Sequence, residues 1–248
     1  MTASVRTVDG PRRRIGGYVV CRDVAGRVLL VRASLGDRRT WLLPGGGLNF
    51  GEHPQVGALR ELREETGYVG ELDSLLGVEV LRATDSEGAP WELVQIIYRA
   101  RVVGGDLTPE ADGSTDLAAW IDPEQLPGLD INPVVRRALD LLAFGGSALP
   151  PYDGDPLGSS DLRGVVGLSA SGIMVAQPDA PKGCAVAPGN AVRPGEDPAA
   201  AVVRAWAELG STVTVGAARF VRSQVIDDVA AGVRRWTVRV LYDVVAGE

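Results

Sequence analysis

The sequence predicts an α+β fold, an α/β/α sandwich with a mixed sheet between helices, present in two tandem copies. Three observations support this prediction. Short strand-like runs dominate the N-terminal part of the chain, two helical segments interrupt them, and similar segments recur later. At 248 residues the chain is long for one domain and long enough for two.

The predicted strands are short apolar runs bounded by turn residues. Residues 16–23 (GGYVVCRD) and 26–33 (GRVLLVRA) predict a hairpin. Residues 75–82 and 93–101 predict two further strands. Residues 133–144 carry apolar side chains at helical spacing and predict a helix that closes this part of the chain.

An acidic helix follows a Gly-rich turn in the segment GGLNFGEHPQVGALRELREETG, residues 46–67. Its acids Glu61, Glu64 and Glu65 are spaced i, i+3 and i+4 and share one helix face, where like charges repel. The apolar residues predicted to dock the helix are Val56, Leu59 and Leu62. Three carboxylates on one face predict a site for a hard divalent cation, which takes oxygen ligands.

A segment rich in Gly, Pro and Ser, residues 146–160, is typical of a linker and divides the chain. We therefore predict one domain at residues 1–145 and a second domain at residues 161–248.

The second domain repeats segments of the first in the same order. GIMVAQ from residue 172 is similar to GRVLLVR from residue 26. Pro44 recurs as Pro188, an offset of 188 − 44 = 144, and Trp91 recurs as Trp236, an offset of 236 − 91 = 145. Several matches at nearly one offset indicate a tandem duplication.

The second copy has lost most of the acids. Three polar residues are kept at the equivalent positions: Glu196 for Glu52, Arg204 for Arg60 and Glu208 for Glu64. Three others are replaced: Asn190 stands for Gly46, Ala205 for Glu61 and Leu209 for Glu65. One carboxylate in place of three does not favour a metal, so we predict a catalytically inactive second domain.

Composition excludes several functional classes. A net charge of −7 without a basic run argues against binding to nucleic acid. No apolar run is long enough to span a membrane, and the N-terminus lacks the apolar region of a secretory signal. We expect a cytoplasmic protein, with Cys21 and Cys184 both reduced.

The acidic segment resembles the Nudix box. That pattern is Gly, five residues, Glu, seven residues, then Arg-Glu-aliphatic-any-Glu-Glu-any-Gly-aliphatic, and residues 46–68 depart from it only at Tyr68. The resemblance extends over about residues 14–144 and, more weakly, over 162–246. It implies a pyrophosphohydrolase that cleaves a nucleoside diphosphate linked to another moiety, using water and Mg²⁺ or Mn²⁺.

The resemblance also implies roles for the residues of the box. The implied metal ligands are the Gly45 carbonyl, Glu61, Glu64 and Glu65. The implied catalytic residues are Glu52, Arg60, Glu61, Glu64 and Glu65: Glu61 is either the base or a further ligand, Arg60 orients the acids, and Glu52 braces the loop.

Further site residues are expected outside these acids. In the later acidic loop we expect Asp116 to be an extra metal ligand, with Glu110 and Asp112 nearby. The residues predicted to bind substrate are Arg32, Arg39, Gly46 and Gly47. His53 is expected to be an exposed loop residue.

The substrate is open, since no subfamily marker is present, and a nucleoside triphosphate or a nucleotide sugar is the default. The alternative functions are a protein that binds nucleotides or sugar nucleotides without cleaving them, and a scaffold for a partner. We expect the two domains to pack as an intramolecular pseudo-dimer, while a homodimer of the whole chain stays open.

Overall fold

The computed structural model describes residues 12–34, 39–84, 87–110, 113–149, 163–174 and 190–247. In these residues the strands are β1 (Arg12–Cys21), β2 (Val28–Ala33), β3 (Trp41–Leu42), β4 (Gly45–Gly47), β5 (Val69–Thr84), β6 (Pro90–Gly104), β7 (Thr115–Ile121), β8 (Ser147–Ala148), β9 (Arg163–Met174), β10 (Asn190–Ala191), β11 (Val213–Asp228) and β12 (Val233–Ala246). The helices are α1 (Pro54–Thr66), α2 (Pro133–Phe144) and α3 (Pro198–Glu208), with a 3₁₀ turn at Leu126–Gly128.

The first region, residues 12–149, is built on a mixed sheet with the strand order β4-β1-β6-β5-β8. β1 runs parallel to β6, and the other neighbours are antiparallel. Side chains alternate along β1, so Val19 packs in the same apolar cluster as α1, whereas Tyr18 and Val20 pack with α2. A mixed sheet with a helix on each face confirms the predicted α/β architecture.

The predicted hairpin between the first two strands is wrong in its pairing. The turn is present, with the Gly26 N–H donating to the Asp23 carbonyl at 3.0 Å. Beyond it only Arg22 and Val28 form a bridge. Both edges of β1 are already occupied by β4 and β6, so β2 instead joins a separate sheet in the order β3-β2-β7.

Both predicted helices of the first region are present, but the buried face of α1 differs from the prediction. Val56 is 43% exposed, whereas Ala58 and Leu62 are fully buried. Gly57 is buried as well, and a Cβ there would meet a methyl group of Leu48 at 2.2 Å. Small residues bring α1 close to its neighbours, which a search for large apolar residues overlooks.

The second region, residues 163–174 and 190–247, contains a four-stranded sheet in the order β10-β9-β12-β11. β9 runs parallel to β12 and the other pairs are antiparallel, so order and directions equal those of β4-β1-β6-β5. The match of residue 172 with residue 26 is wrong, because Gly172 lies in β9, which occupies the place of β1 rather than β2.

The two regions share one apolar core. Buried residues of both belong to one continuous cluster, which we call the shared core; it includes Val94 and Ile96 from β6, and Val221, Trp236 and Val238 from the second region. Part of the predicted linker is also ordered, since β8 pairs with β5, and the Ser147 hydroxyl donates to the Ala218 carbonyl at 2.9 Å.

Cys21 is buried and free, and burial raises the pKa of its thiol to about 12, so it is an inert core residue. Cys184 lies outside the described residues. Within the described part of the chain, no helix is long and apolar enough to cross a membrane.

Candidate active site

Three consecutive glycines form β4 beside the acidic helix, and two of them have no room for a side chain. Gly45 has a φ of 148°, and a Cβ there would lie 2.5 Å from the Gly17 carbonyl oxygen. A Cβ on Gly46 would lie 2.6 Å from the carboxyl carbon of Glu61. The glycines therefore let the backbone approach the acids closely.

Glu65 is the most buried acid of α1, at 4% exposure. The Gly45 N–H donates to its Oε2 at 2.8 Å. Burial, together with the charges of Glu61, Glu110 and Glu64, raises the pKa of Glu65 to about 8, and the Gly45 hydrogen bond opposes the rise. This carboxylate lacks a cationic partner strong enough to offset its burial.

Arg60 joins the other acids and the loop. Its Nε and Nη2 donate to the two carboxylate oxygens of Glu52 at 2.7 and 2.9 Å. Its Nη1 donates to Glu61 at 2.7 Å and to Glu64 at 2.9 Å, and its Nη2 also donates to the Gly47 carbonyl at 3.2 Å. One guanidinium thus faces three carboxylates.

Glu61 and Glu64 differ in how far they are buried. Glu61 is largely buried, and burial raises its pKa, while the Arg60 contact lowers it. The Glu64 side chain is 50% exposed. In the part of the chain that the structure describes, no three Asp, Glu, His or Cys side chains are already arranged as a metal-binding group. Arg60 donates to both Glu61 and Glu64 in this arrangement.

Glu110 lies in the loop before β7. The structure brings it near Glu65, since the charge of Glu110 raises the pKa of Glu65. The Thr115 hydroxyl donates to Glu110 at 3.5 Å. Asp116, which the sequence prediction preferred, is instead bound by Arg32 at 2.9 and 3.2 Å and by Arg39 at 2.9 Å. The role of Asp116 as a metal ligand therefore stays a prediction, for a carboxylate that two arginines hold.

His53 is not the exposed loop residue predicted from the sequence. It is 7% exposed and caps the N-terminus of α1, where its Nδ1 accepts the Gln55 N–H at 3.3 Å. Burial lowers the pKa of His53 to about 4. Its place directly before Pro54, the first residue of α1, is the sequence signal for a cap.

A cavity of about 550 Å³ opens beside the acids, between the first sheet and α2. At one end it is lined by Gly45–Gly47, Glu61 and Glu65, and Arg60 also contributes to its wall. Its apolar part is lined by Leu81, Trp91, Leu93, Val134 and Val135. Arg14 also lines the cavity. Among the described residues, Arg32, Arg39 and Asp116 are not part of the lining.

The family model for the NUDIX domain matches residues 11–142. The chain belongs to the Nudix family. It is 31% identical over 143 residues to a MutT-like protein of Streptomyces ambofaciens, covering 58% of this chain and 84% of that protein. It is 31% identical over 102 residues to the ADP-ribose pyrophosphatase of Methanocaldococcus jannaschii, covering 41% of this chain and 57% of that protein.

A solved structure of a NUDIX hydrolase from Nitrosomonas europaea aligns with 58% of this chain and 99% of its own, at a TM-score of 0.48 and 23% identity. The curated relatives include proteins whose names contain the words diphosphatase and pyrophosphatase. As a member of the Nudix family, this protein is a hydrolase that acts on phosphoric anhydride bonds. The alternative of a protein that binds nucleotides without cleaving them gains no support from these names.

In this Nudix domain the structure brings together most of the residues predicted for the site: Gly45, Gly46, Gly47, Glu52, Arg60, Glu61, Glu64 and Glu65. It places Arg32, Arg39 and Asp116 together in a separate ion-pair group. Sequence reasoning did not single out Arg14, because one arginine in the run Arg12–Arg14 gives no sign of facing a cavity.

Proposed function

We propose that this Nudix hydrolase cleaves the anhydride bond of a nucleoside diphosphate derivative, a nucleoside triphosphate or a nucleotide sugar, with water and Mg²⁺ or Mn²⁺. The observation that carries the proposal is the buried Glu65, which meets Glu61 at the edge of a cavity large enough for a nucleoside. The relative named as an ADP-ribose pyrophosphatase supports a substrate of the same class.

The donor set fits a hard divalent cation. Three carboxylates, those of Glu52, Glu61 and Glu64, are bound by the single guanidinium of Arg60, and the Glu65 carboxylate lies near Glu61 outside this group, which leaves excess negative charge beside the cavity. We assign Glu61, Glu64, Glu65 and the Gly45 carbonyl as ligands, with Glu110 in the place predicted for Asp116. The cation would stabilise charge on the phosphate oxygens and lower the pKa of bound water.

Other residues of the site position the acids, bind the substrate phosphates and accept a proton. Arg60 donates to Glu61, which lines the cavity, and to Glu64 one turn further along α1, and Glu52 holds the Gly-rich loop by accepting the Asn49 N–H at 2.8 Å. We assign Arg14, rather than Arg32 or Arg39, to the substrate phosphates, because Arg14 lines the cavity. The Glu61 carboxylate, which accepts a hydrogen bond from Arg60 and lies against Gly46, is placed to accept the proton of the attacking water.

A matched pair of variants tests this function. A panel of nucleoside triphosphates, ADP-ribose and nucleotide sugars is incubated with Mg²⁺, and released monophosphate, phosphate and pyrophosphate are measured. Glu65→Gln is expected to lower turnover at least ~100-fold, the upper end of the cost of losing a supporting residue at a metal site. Glu208→Gln, at the position equivalent to Glu64 in the second region, is expected to leave turnover unchanged. Equal activity of Glu65→Gln and the parent protein contradicts the assignment.

We further infer that residues 161–248 are a catalytically inactive duplicate of the catalytic domain, residues 1–145. The equal strand order and directions of the two mixed sheets support this inference. α3 begins at Pro198 as α1 begins at Pro54, again at an offset of 144 (198 − 54). Leu209 and Ala205 replace the two acids that face the cavity in the first region.

The contacts between the regions support an intramolecular pseudo-dimer. Phe50, from the loop before α1, packs edge-on against Trp236 of β12, with ring centroids 5.8 Å apart. In the opposite direction, the Gly195 N–H, from the loop before α3, donates to Glu92 of β6 at 2.7 Å. Each loop thus contacts the equivalent strand of the other region, as at a two-fold interface.

Glu92 is the polar centre of this interface. It is 1% exposed, and Arg13 donates to its Oε2 at 2.8 and 3.0 Å. Arg82 donates to its Oε1 at 3.3 Å and also to the Gly195 carbonyl at 3.1 Å. Arg13 donates in addition to the Val192 and Arg193 carbonyls, at 2.8 and 2.7 Å. A buried charge with this many partners fixes one arrangement of the two regions.

A further inference from the structure

Gln95 lies on β6 in the wall of the active-site cavity, and its side chain has an unused hydrogen-bond acceptor. The residue is 6% exposed and lines the cavity on the same face of β6 as Trp91 and Leu93. Its Oε1 is buried and has no hydrogen-bond partner among the described residues. Leaving a buried acceptor unpaired destabilises the folded protein, so such atoms are uncommon.

The other end of the Gln95 carboxamide is already used. The side chain hydrogen-bonds the Tyr18 phenol, a contact that lowers the pKa of Tyr18 against the larger effect of burial, which raises it. Gly16 lies directly opposite Gln95 in the β1–β6 register, and a Cβ on Gly16 would be 3.2 Å from the Tyr18 hydroxyl. Because the amide nitrogen is engaged, the group has only its oxygen to offer to a ligand.

Two other buried polar atoms in the described residues also lack partners, the Tyr98 hydroxyl and the Trp206 indole N–H. Both residues belong to the shared core, and neither is among the described residues that line the cavity. An unpaired atom is therefore not a ligand site in itself. What distinguishes Gln95 is that the residue with the unpaired oxygen lines a space that a ligand can fill.

We propose that Gln95 is a specificity-determining residue whose Oε1 accepts a hydrogen bond from an N–H of the substrate's nucleobase. The inference rests on the proposed function. The apolar walls formed by Leu93 and Trp91 of β6 and by Val134 and Val135 of α2 fit a planar base. An acceptor fixed in this wall discriminates against bases whose N–H is blocked, because the oxygen then stays unpaired in the complex.

Paired substrates test the proposal in the full-length protein with Mg²⁺. N6,N6-dimethyl-ATP is compared with ATP, and N3-methyl-UTP with UTP. The parent protein is expected to show a KM at least ~10-fold higher for the methylated member of its preferred pair, with kcat changed little, since one hydrogen bond to a buried acceptor is lost. In Gln95→Leu this preference is expected to disappear, and Gln95→Met provides a second variant of similar volume.

Tyr98→Phe is the matched control, because it removes another unpaired buried oxygen from the same strand without touching the cavity lining. It is expected to keep the parent preference. If the parent protein hydrolyses its substrate and Gln95→Leu and Gln95→Met keep the full discrimination, Gln95 does not read the base. If these variants change the preference for ribose over deoxyribose instead, the acceptor faces the sugar and the proposal is wrong. Absence of hydrolysis in the parent protein overturns the proposed function itself.

Discussion

The two loop–helix segments, residues 45–66 and residues 190–208, show which contacts belong to the fold and which belong to the chemistry. Both contain the same ion pair: Arg60 with Glu52, and Arg204 with Glu196, each through two nitrogens at 2.7 to 2.9 Å. In both, this arginine also donates to a loop carbonyl, and the glutamate accepts a loop N–H.

The difference between the segments lies in three positions. The second segment has other residues at the positions of Gly46, Glu61 and Glu65, although its loop and helix are built in the same way. The Glu–Arg pair therefore stabilises the loop against the helix whether or not the site is active. This comparison moves Arg60 and Glu52, predicted as catalytic from the sequence, to positioning residues in our proposal.

The largest expected effect is a loss of stability when Glu92 is changed, because Glu92 contacts the loop of the second segment. Glu92→Ala leaves Arg13 and Arg82 without their carboxylate, and breaking a buried ion pair of this kind costs about 3–5 kcal/mol of unfolding free energy. Urea unfolding measures the change. Thr237→Ala alters the equivalent position of β12 (237 − 92 = 145) and is expected to cost well under ~1 kcal/mol. Equal stability of the two variants shows that the interface does not depend on Glu92.

Exchange of the loop residue at Gly46 tests the chemical difference. Gly46→Asn copies the second segment into the first and forces the Glu61 carboxylate to move, because no Cβ fits at this position. Turnover is expected to fall ~100-fold, equivalent to about 2.7 kcal/mol in activation free energy. Asn190→Gly makes the reverse change, removes only a contact with Glu208, and is expected to leave turnover as it was. Normal kcat in Gly46→Asn speaks against a requirement for glycine.

The smallest expected effect concerns the helix caps, His53 for α1 and Asp197 for α3. The folded-state pKa of His53, about 4, lies below its unfolded value of 6.5, so the unfolded chain takes up the proton first as pH falls. The contribution of His53 to the free energy of unfolding is therefore fully present above pH 6.5 and declines as the pH falls toward 4.

Between pH 7 and pH 5 this decline amounts to about 2 kcal/mol. Urea titrations of the parent protein and of His53→Asp, which copies the second cap, measure it. The aspartate variant is expected to lose most of the decline in this range. A parallel pH profile in both proteins assigns the acid sensitivity to another group.

Local signals explain what the sequence predicted correctly. α2 spans residues 133–144 as predicted, because Asn132 caps it, Pro133 starts it and Gly145 follows its end. The acids of α1 were recognisable because their spacing is fixed by the helix itself.

Long-range packing explains what the sequence did not reveal. Glu92 sits in an apolar strand where alternation suggests a solvent-facing residue, and one of its partners is the backbone N–H of Gly195, 103 residues away. A backbone donor leaves no residue signature. The depth of Glu65 and the pairing of Asp116 with Arg32 likewise depend on strands that are distant in sequence.

The shared core has a consequence for how this chain can vary over time. In our proposal the second region is an inactive duplicate that is free to lose its carboxylates, and its exposed positions, such as Leu209 at 60% exposure, can vary widely. Its apolar side chains that face the first region cannot, because Trp236 and Val238 complete the core of the catalytic half. Selection for activity in the first region is thus expected to preserve hydrophobic residues in the second.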